Sequence, residues 1–163
     1  MELTKEREQE IANMANAEWV DLFLDAIPDD DPRWEALELE WDEKALNFCK
    51  QNANPLELHS FASQYNWDQG ADILLDIVKN PNCDFGTARL IFWRSSPDYY
   101  QTFVDRDSVP SVNLEGWDFV WKVVKACEGR TFKISNIVYD PKAEHFEPVL
   151  EPNAKWQIPE KFL

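Results

Sequence analysis

Residues 65–93 read YNWDQGADILLDIVKNPNCDFGTARLIFW, and this stretch decides the fold because two helix starts stand directly ahead of two apolar periodic runs. Asp68 precedes Ile73, Leu74, Ile77 and Val78, whose spacing gathers them on one helix face. Asn80, Pro81 and Asn82 end that helix, and Asp84 is placed to cap the next, where Ala88, Ile91 and Phe92 repeat the pattern as far as Ser96 and Pro97. Just upstream, Asn54-Pro55-Leu56-Glu57 has the form of a capping box, with Asn at the cap, Pro in the first turn and Glu reaching back. It predicts a helix that buries Leu58, Phe61, Ala62 and Tyr65.

Working outward, Ile11, Ala15, Trp19, Leu22, Phe23 and Ala26 predict a helix over 5–26 with one apolar face. Asp31 and Pro32 are placed to start another that runs to about residue 51, with Trp34, Leu37, Trp41, Ala45 and Phe48 as its buried stripe. Trp117, Val120, Trp121 and Val124 form the face of a last helix that ends near Gly129. Residues 131–139 are rich in β-branched and aromatic side chains and predict short strands. After Asp140 and Pro141, a tail with Pro148, Pro152 and Pro159 is expected to lie extended, pinned by Phe146, Trp156, Ile158, Phe162 and Leu163. The fold class is therefore mainly α: antiparallel helical hairpins or an irregular helical bundle, with a short C-terminal β or extended segment. A single domain is expected, built from acidic N-terminal helices (1–53), a helical core (54–129) and the tail (130–163).

Asn66, Trp67, Asp68 and Gly70, then Asn80, Pro81, Cys83 and Asp84, then Gly86, Thr87, Ala88, Phe92 and Trp93 form an ordered set of uncommon residues. Through them, residues 56–95 resemble a bacterial family known as domain of unknown function 4274. Arg89 departs from the pattern, in which an apolar residue is expected. The resemblance implies a fold unit and carries no activity. Most of these positions read as structural. Asn66, Asp68 and Asp84 suit turn and cap donors, Gly70 and Gly86 suit close backbone packing in first helical turns, and Trp67 suits a gap between helices. The functional alternative brings Asn66, Asp68, Asp84 and Thr87 together as a polar pocket at helix N-termini.

The chain of 163 residues has eight Trp, ten Phe and four Tyr, too aromatic for a disordered acidic protein. Its net charge of -15 disfavours nucleic acid and anionic membrane as partners and favours a basic protein. The first fifty residues hold fifteen acids against five bases, so two thirds of the excess lies there. Strong charge also simply keeps a Trp-rich protein in solution. Cys49, Cys83 and Cys127 are odd in number and widely spaced, as reduced thiols in a cytoplasmic protein would be. The N-terminus lacks the pattern of a signal peptide, and no apolar run reaches spanning length.

Chemistry-bearing patterns are sparse. His59 and His145 sit in no zinc or triad spacing, and a set of His59, Asp68, Asp72 and Cys83 would be an unusual zinc shell. Asp29, Asp30 and Asp31 lack the Gly and the closing Glu of a calcium loop. Four Gly make no phosphate cradle. No cofactor or metal is expected, and no catalytic residue is assigned. The expectation is a non-enzymatic acidic interaction domain, in concrete form an immunity protein that neutralises a basic toxin through Asp29, Asp30, Glu35, Glu38, Asp42 and Glu43. Two alternatives stand beside it: an enzyme built around Cys83 or Asp68, Asp72 and Asp84, and a helical scaffold that binds a peptide.

Overall fold

The computed structural model describes residues 2–132, 137–150 and 152–163. Seven α-helices carry the described chain, and it divides into two compact units, Met1–Cys83 and Asp84–Leu163. The division falls inside the 54–129 segment that the sequence presents as one helical core.

In the first unit, α1 (Lys5–Ala15) opens on Thr4, whose hydroxyl accepts the Arg7 N–H at 3.3 Å. The helix expected over 5–26 breaks here: Ala17 takes a left-handed φ of 54°, and a 3-10 turn (Glu18–Leu22) follows. The break turns Trp19 onto the next helix, where it stacks on Trp41 with centroids 6.0 Å apart. It also leaves Leu22 and Ala26, read as buried, exposed. Helix α2 (Arg33–Asn47) begins with the Arg33 N–H held by Asp31 Oδ1 at 2.9 Å, and runs into one π-helical turn (Phe48–Asn52). Of its predicted stripe only Ala45 and Phe48 are buried, while Trp34, Leu37 and Trp41 are half-buried.

Helix α3 (Pro55–Gln64) carries the expected capping box in full: Asn54 Oδ1 accepts from Leu56 and Glu57, and Glu57 Oε2 accepts the Asn54 N–H at 2.8 Å. Its inward face, Leu58, Phe61 and Ala62, is fully buried. The main partner of α1 is α3, which is not its neighbour in sequence, so this unit is an irregular bundle rather than a stack of consecutive hairpins. Helix α4 (Asp72–Lys79) starts four residues later than Asp68 predicts, because Asn66 caps a separate 3-10 turn (Trp67–Gln69) instead. Asn80 closes the unit, giving its amide hydrogens to the buried Cys49 carbonyl at 2.6 Å and accepting the Asn82 N–H at 2.7 Å.

The second unit packs α5 (Phe85–Arg94) against α6 (Pro97–Tyr100) and α7 (Leu114–Cys127), which also pack on each other. Asp84 caps α5 through the Gly86 N–H at 2.6 Å. A Cβ on Gly86 would run into the Ile137 carbonyl, and one on Gly116 into the Tyr100 hydroxyl, so both glycines mark close approaches. The expected strands over 131–139 fall partly outside the described residues, at 133–136, and the described flanks are not in strands. The tail is not simply extended as expected, since it folds into 3-10 turns at Pro141–Glu144 and Glu160–Phe162, and it is held by polar groups: the Gln101 amide donates to the Trp156 carbonyl and accepts from Val149, and Trp93 Nε1 donates to the Phe162 carbonyl at 2.8 Å. Phe162 is buried and stacks on Phe92 at 4.0 Å. Arg89 is polar for a reason: its guanidinium donates to the carbonyls of Tyr139, Phe162 and Leu163. Leu163 itself is exposed, against the expectation that it pins the tail.

Candidate functional site

Helix α3 stops at Tyr65, whose extended backbone (ψ 132°) carries the chain to Asn66. The Asn66 N–H donates to the Ala15 carbonyl at 3.0 Å, which fixes the turn against the end of α1. Asn66 Oδ1 then accepts the Asp68 N–H at 3.1 Å. Gly70 follows with φ 88° and open space where a Cβ would stand. Its role is therefore backbone conformation and not the close packing expected of it. Because Asn66 caps the 3-10 turn and Ala71 precedes α4, the Asp68 side chain is not consumed as a helix cap.

The consequence is a cleft of about 570 Å³ in the first unit. Asp68 and Asp72, Glu38 and Asp42 of α2, and the aromatic Trp19 and Tyr65 are among the residues that line it, and all four acids are exposed. No Lys or Arg is among the lining residues. Glu38 and Asp42 stand one helical turn apart, a like-charge spacing that costs stability when left uncompensated. Tyr65 is only 9% exposed, and its hydroxyl has no hydrogen-bond partner among the described residues. Burial, and then the nearby Cys49, Asp42 and Asp72, push its phenol up to about 12, so the hydroxyl keeps its proton.

The remaining predicted acids lie on the exterior. Asp29, Asp30, Glu35 and Glu43 are exposed, and neither they nor Glu38 and Asp42 enter an ion pair among the described residues. Asp31 differs: the Arg33 guanidinium and N–H hold its carboxyl down at about 2. A smaller apolar groove of about 380 Å³ lies between Phe23, Ile27, Ala36 and Leu37, with Arg33 and Glu40 on its rim.

The other sequence candidates are placed differently. Cys83 is fully buried and lines neither cleft, His59 is half-buried on α3, and His145 is exposed in the other unit at a left-handed turn (φ 66°). Burial also pushes the Cys49 thiol up, and the Cys127 thiol up to about 11. Asn66 and Asp68 belong to the first unit, and Asp84 and Thr87 to the second, where both are buried. Among the described residues, no three His, Cys, Asp or Glu side chains gather as a metal shell, and no helix is long and apolar enough to cross a membrane. Tyr65 and Trp19, read from sequence only as core positions, are the cleft residues that periodicity did not mark as functional.

The family model described as a domain of unknown function, DUF4274, matches residues 53–126. Over this segment the chain is similar to that family. It spans α3 and α4 of the first unit and α5, α6 and nearly all of α7 in the second. Asp68, Gly70, Asp72 and Tyr65 of the cleft lie inside the DUF4274 segment, whereas Glu38, Asp42 and Trp19 lie ahead of it. Searches of curated proteins and of solved structures gave no match.

Proposed function

We propose that this protein is a non-enzymatic acidic interaction domain that captures a basic protein, in concrete form an immunity protein that blocks a basic toxin. The observation that carries this reading is the uncompensated charge of α2 and the turn before it: Asp29, Asp30, Glu35, Glu38, Asp42 and Glu43 all face solvent without an ion pair among the described residues. Acids arranged only to stabilise the fold would be paired internally or placed at helix N-termini, as Asp31 and Asp84 are; of the six, only Glu35 lies in a first helical turn, that of α2. Unpaired acids on an exposed face cost the isolated protein self-repulsion and speed encounter with a cationic surface.

The test is titration of the full chain with a panel of purified basic toxin nucleases at rising salt. The expected result is saturable, steeply salt-dependent capture of a panel member, weakened at least about tenfold when Asp29, Asp30, Glu35 and Glu43 are changed to Lys. Capture that is unchanged by these reversals would refute the acidic face. The apolar groove at Phe23, Ile27 and Leu37 favours a second reading, a scaffold for a peptide. Under that reading Leu37→Asp abolishes binding and the charge reversals do not.

A further inference from the structure

The apolar groove of about 380 Å³ has two built walls. One is a single face of α2, where Arg33, Ala36, Leu37 and Glu40 recur at helical spacing over a length of about 10 Å. The other is the turn that carries Phe23, Ala26 and Ile27. Trp34 ties the walls together, since its Nε1 donates to the Pro28 carbonyl at 2.8 Å, next to the buried Ile27. Ala26 on one wall and Ala36 on the other are exposed, so the groove opens to solvent. Apolar exposure is concentrated in the same stretch: among the described residues of the first unit, the exposed large apolar side chains are Leu22 and Leu24, which flank Phe23, and Leu39 and Leu46 of α2. The acids around the groove enter no ion pair among the described residues. Asp25 lies between Phe23 and Ala26, Asp29 and Asp30 lie in the link from one wall to the other, and Glu40 stands on the rim. Arg33, the base among the lining residues, is already held by Asp31 at 2.9 and 2.8 Å.

We infer that this groove is the docking site for a basic amphipathic helix of a partner protein, which lays its apolar side chains along Phe23, Ala36 and Leu37 and sets Lys or Arg opposite Asp25, Asp29, Asp30 and Glu40. This names the element by which the basic partner of the interaction reading above is held, and rests on that reading. An apolar centre with an acidic rim is matched by an apolar centre with a basic one. A second copy of the chain meeting this face with its own would set the same acids against each other, which disfavours a symmetric dimer as the occupant. A helix fits better than an extended segment. The walls are mostly apolar side chains, so a strand laid there would leave its backbone N–H and C=O groups unsatisfied, whereas a helix satisfies its own.

The experiment is fluorescence-anisotropy titration of a labelled, stapled helical peptide of about fourteen residues, with Leu at i, i+4 and i+7 and Lys on its flanks, by the full chain. Two control peptides carry the same residues with the Leu scattered around the helix, or Glu in place of each Lys. The chain is taken as wild type, as Ala36→Trp, as Ala26→Trp, as a rim triple (Asp29→Asn, Asp30→Asn, Glu40→Gln) and as a cleft triple (Asp42→Asn, Asp68→Asn, Asp72→Asn). The expected result is saturable one-to-one binding of the first peptide, at least about tenfold tighter than of either control. Each Trp variant fills the groove from an exposed position, so it weakens binding at least about tenfold while the urea midpoint holds. The rim triple weakens binding at least about fivefold and flattens its salt dependence, and the cleft triple, which removes the same charge elsewhere, weakens it less. Equal affinity for the first peptide and the scattered-Leu control, unchanged affinity in both Trp variants, or equal loss in the two triples overturns the inference. Capture of the toxin panel keeps the two readings apart. A chain that binds the peptide in the groove and captures no basic toxin refutes the toxin reading alone, and one whose toxin capture survives both Trp variants refutes this docking site alone.

Discussion

Replacement of Asn80 by Ala tests whether the family motif is held for structure. Asn80 is 4% exposed and joins two segments: its amide donates to the Cys49 carbonyl at 2.6 Å, and its Oδ1 accepts the Asn82 N–H at 2.7 Å. In Asn80→Ala the Cys49 carbonyl is left buried without this donor, at about 1–3 kcal/mol. The Asn82 N–H is half-buried and reaches water more readily, so its loss is about 0.5–1.5 kcal/mol. The sum, about 1.5–4.5 kcal/mol, is a large share of the roughly 5–15 kcal/mol that holds a domain of this kind. At a urea slope of about 2 kcal/mol per molar, the midpoint falls by roughly 1–2 M. Asn80→Asp keeps the acceptor for Asn82 and sets an oxygen against the Cys49 carbonyl, so it should be at least as damaging. Urea unfolding is followed by Trp fluorescence and by circular dichroism. Four of the eight Trp, at positions 19, 34, 41 and 67, report on the first unit. A loss below about 0.5 kcal/mol in Asn80→Ala would refute the reasoning and reopen a functional role for the motif.

Gly86→Ala should destabilise by about 1–3 kcal/mol through overpacking against the Ile137 carbonyl, whereas Gly70→Ala, with open space but φ 88°, acts through backbone strain of similar size; melting curves with a d-Ala replacement at position 70 separate the two, because d-Ala relieves only the second. Asp31, held near 2 by Arg33, is a group with its folded pKa depressed below 3.8, so its stabilisation is present above about pH 3.8 and lost as pH falls through about 2. Carboxyl NMR should show its titration moving up toward 3.8 in Arg33→Ala, and no movement would remove the ion pair as the cause. Cys49, Cys83 and Cys127 should react slowly with an aromatic disulfide reagent in the native protein and fully after unfolding. A fast native thiol at Cys83 would revive the enzyme alternative.

Local signals were legible wherever a side chain bonds its own backbone neighbours. The capping box at Asn54 and Glu57, the Asp84 cap and the buried faces of α3 and α5 stand where the residue pattern puts them, because they depend on contacts a few positions apart. Boundaries failed where a distant partner outweighed periodicity. The helix expected over 5–26 yields at Ala17 so that Trp19 stacks on Trp41, and Asp68 gives up its expected cap because Asn66, tied to the Ala15 carbonyl, closes a turn of its own.

The chain's sequence alone established the helical class, the capping box at Asn54, the Asp84 cap and the acidic excess, since composition and short-range bonding suffice for each, and its motif residues carried the resemblance to DUF4274. The cleft is different in kind. Glu38 and Asp42 are about thirty positions from Asp68 and Asp72, and they meet around Tyr65 only because α1 and α3 pack together and swing both segments to one place. Convergence of that sort is a property of tertiary packing, which no local period encodes.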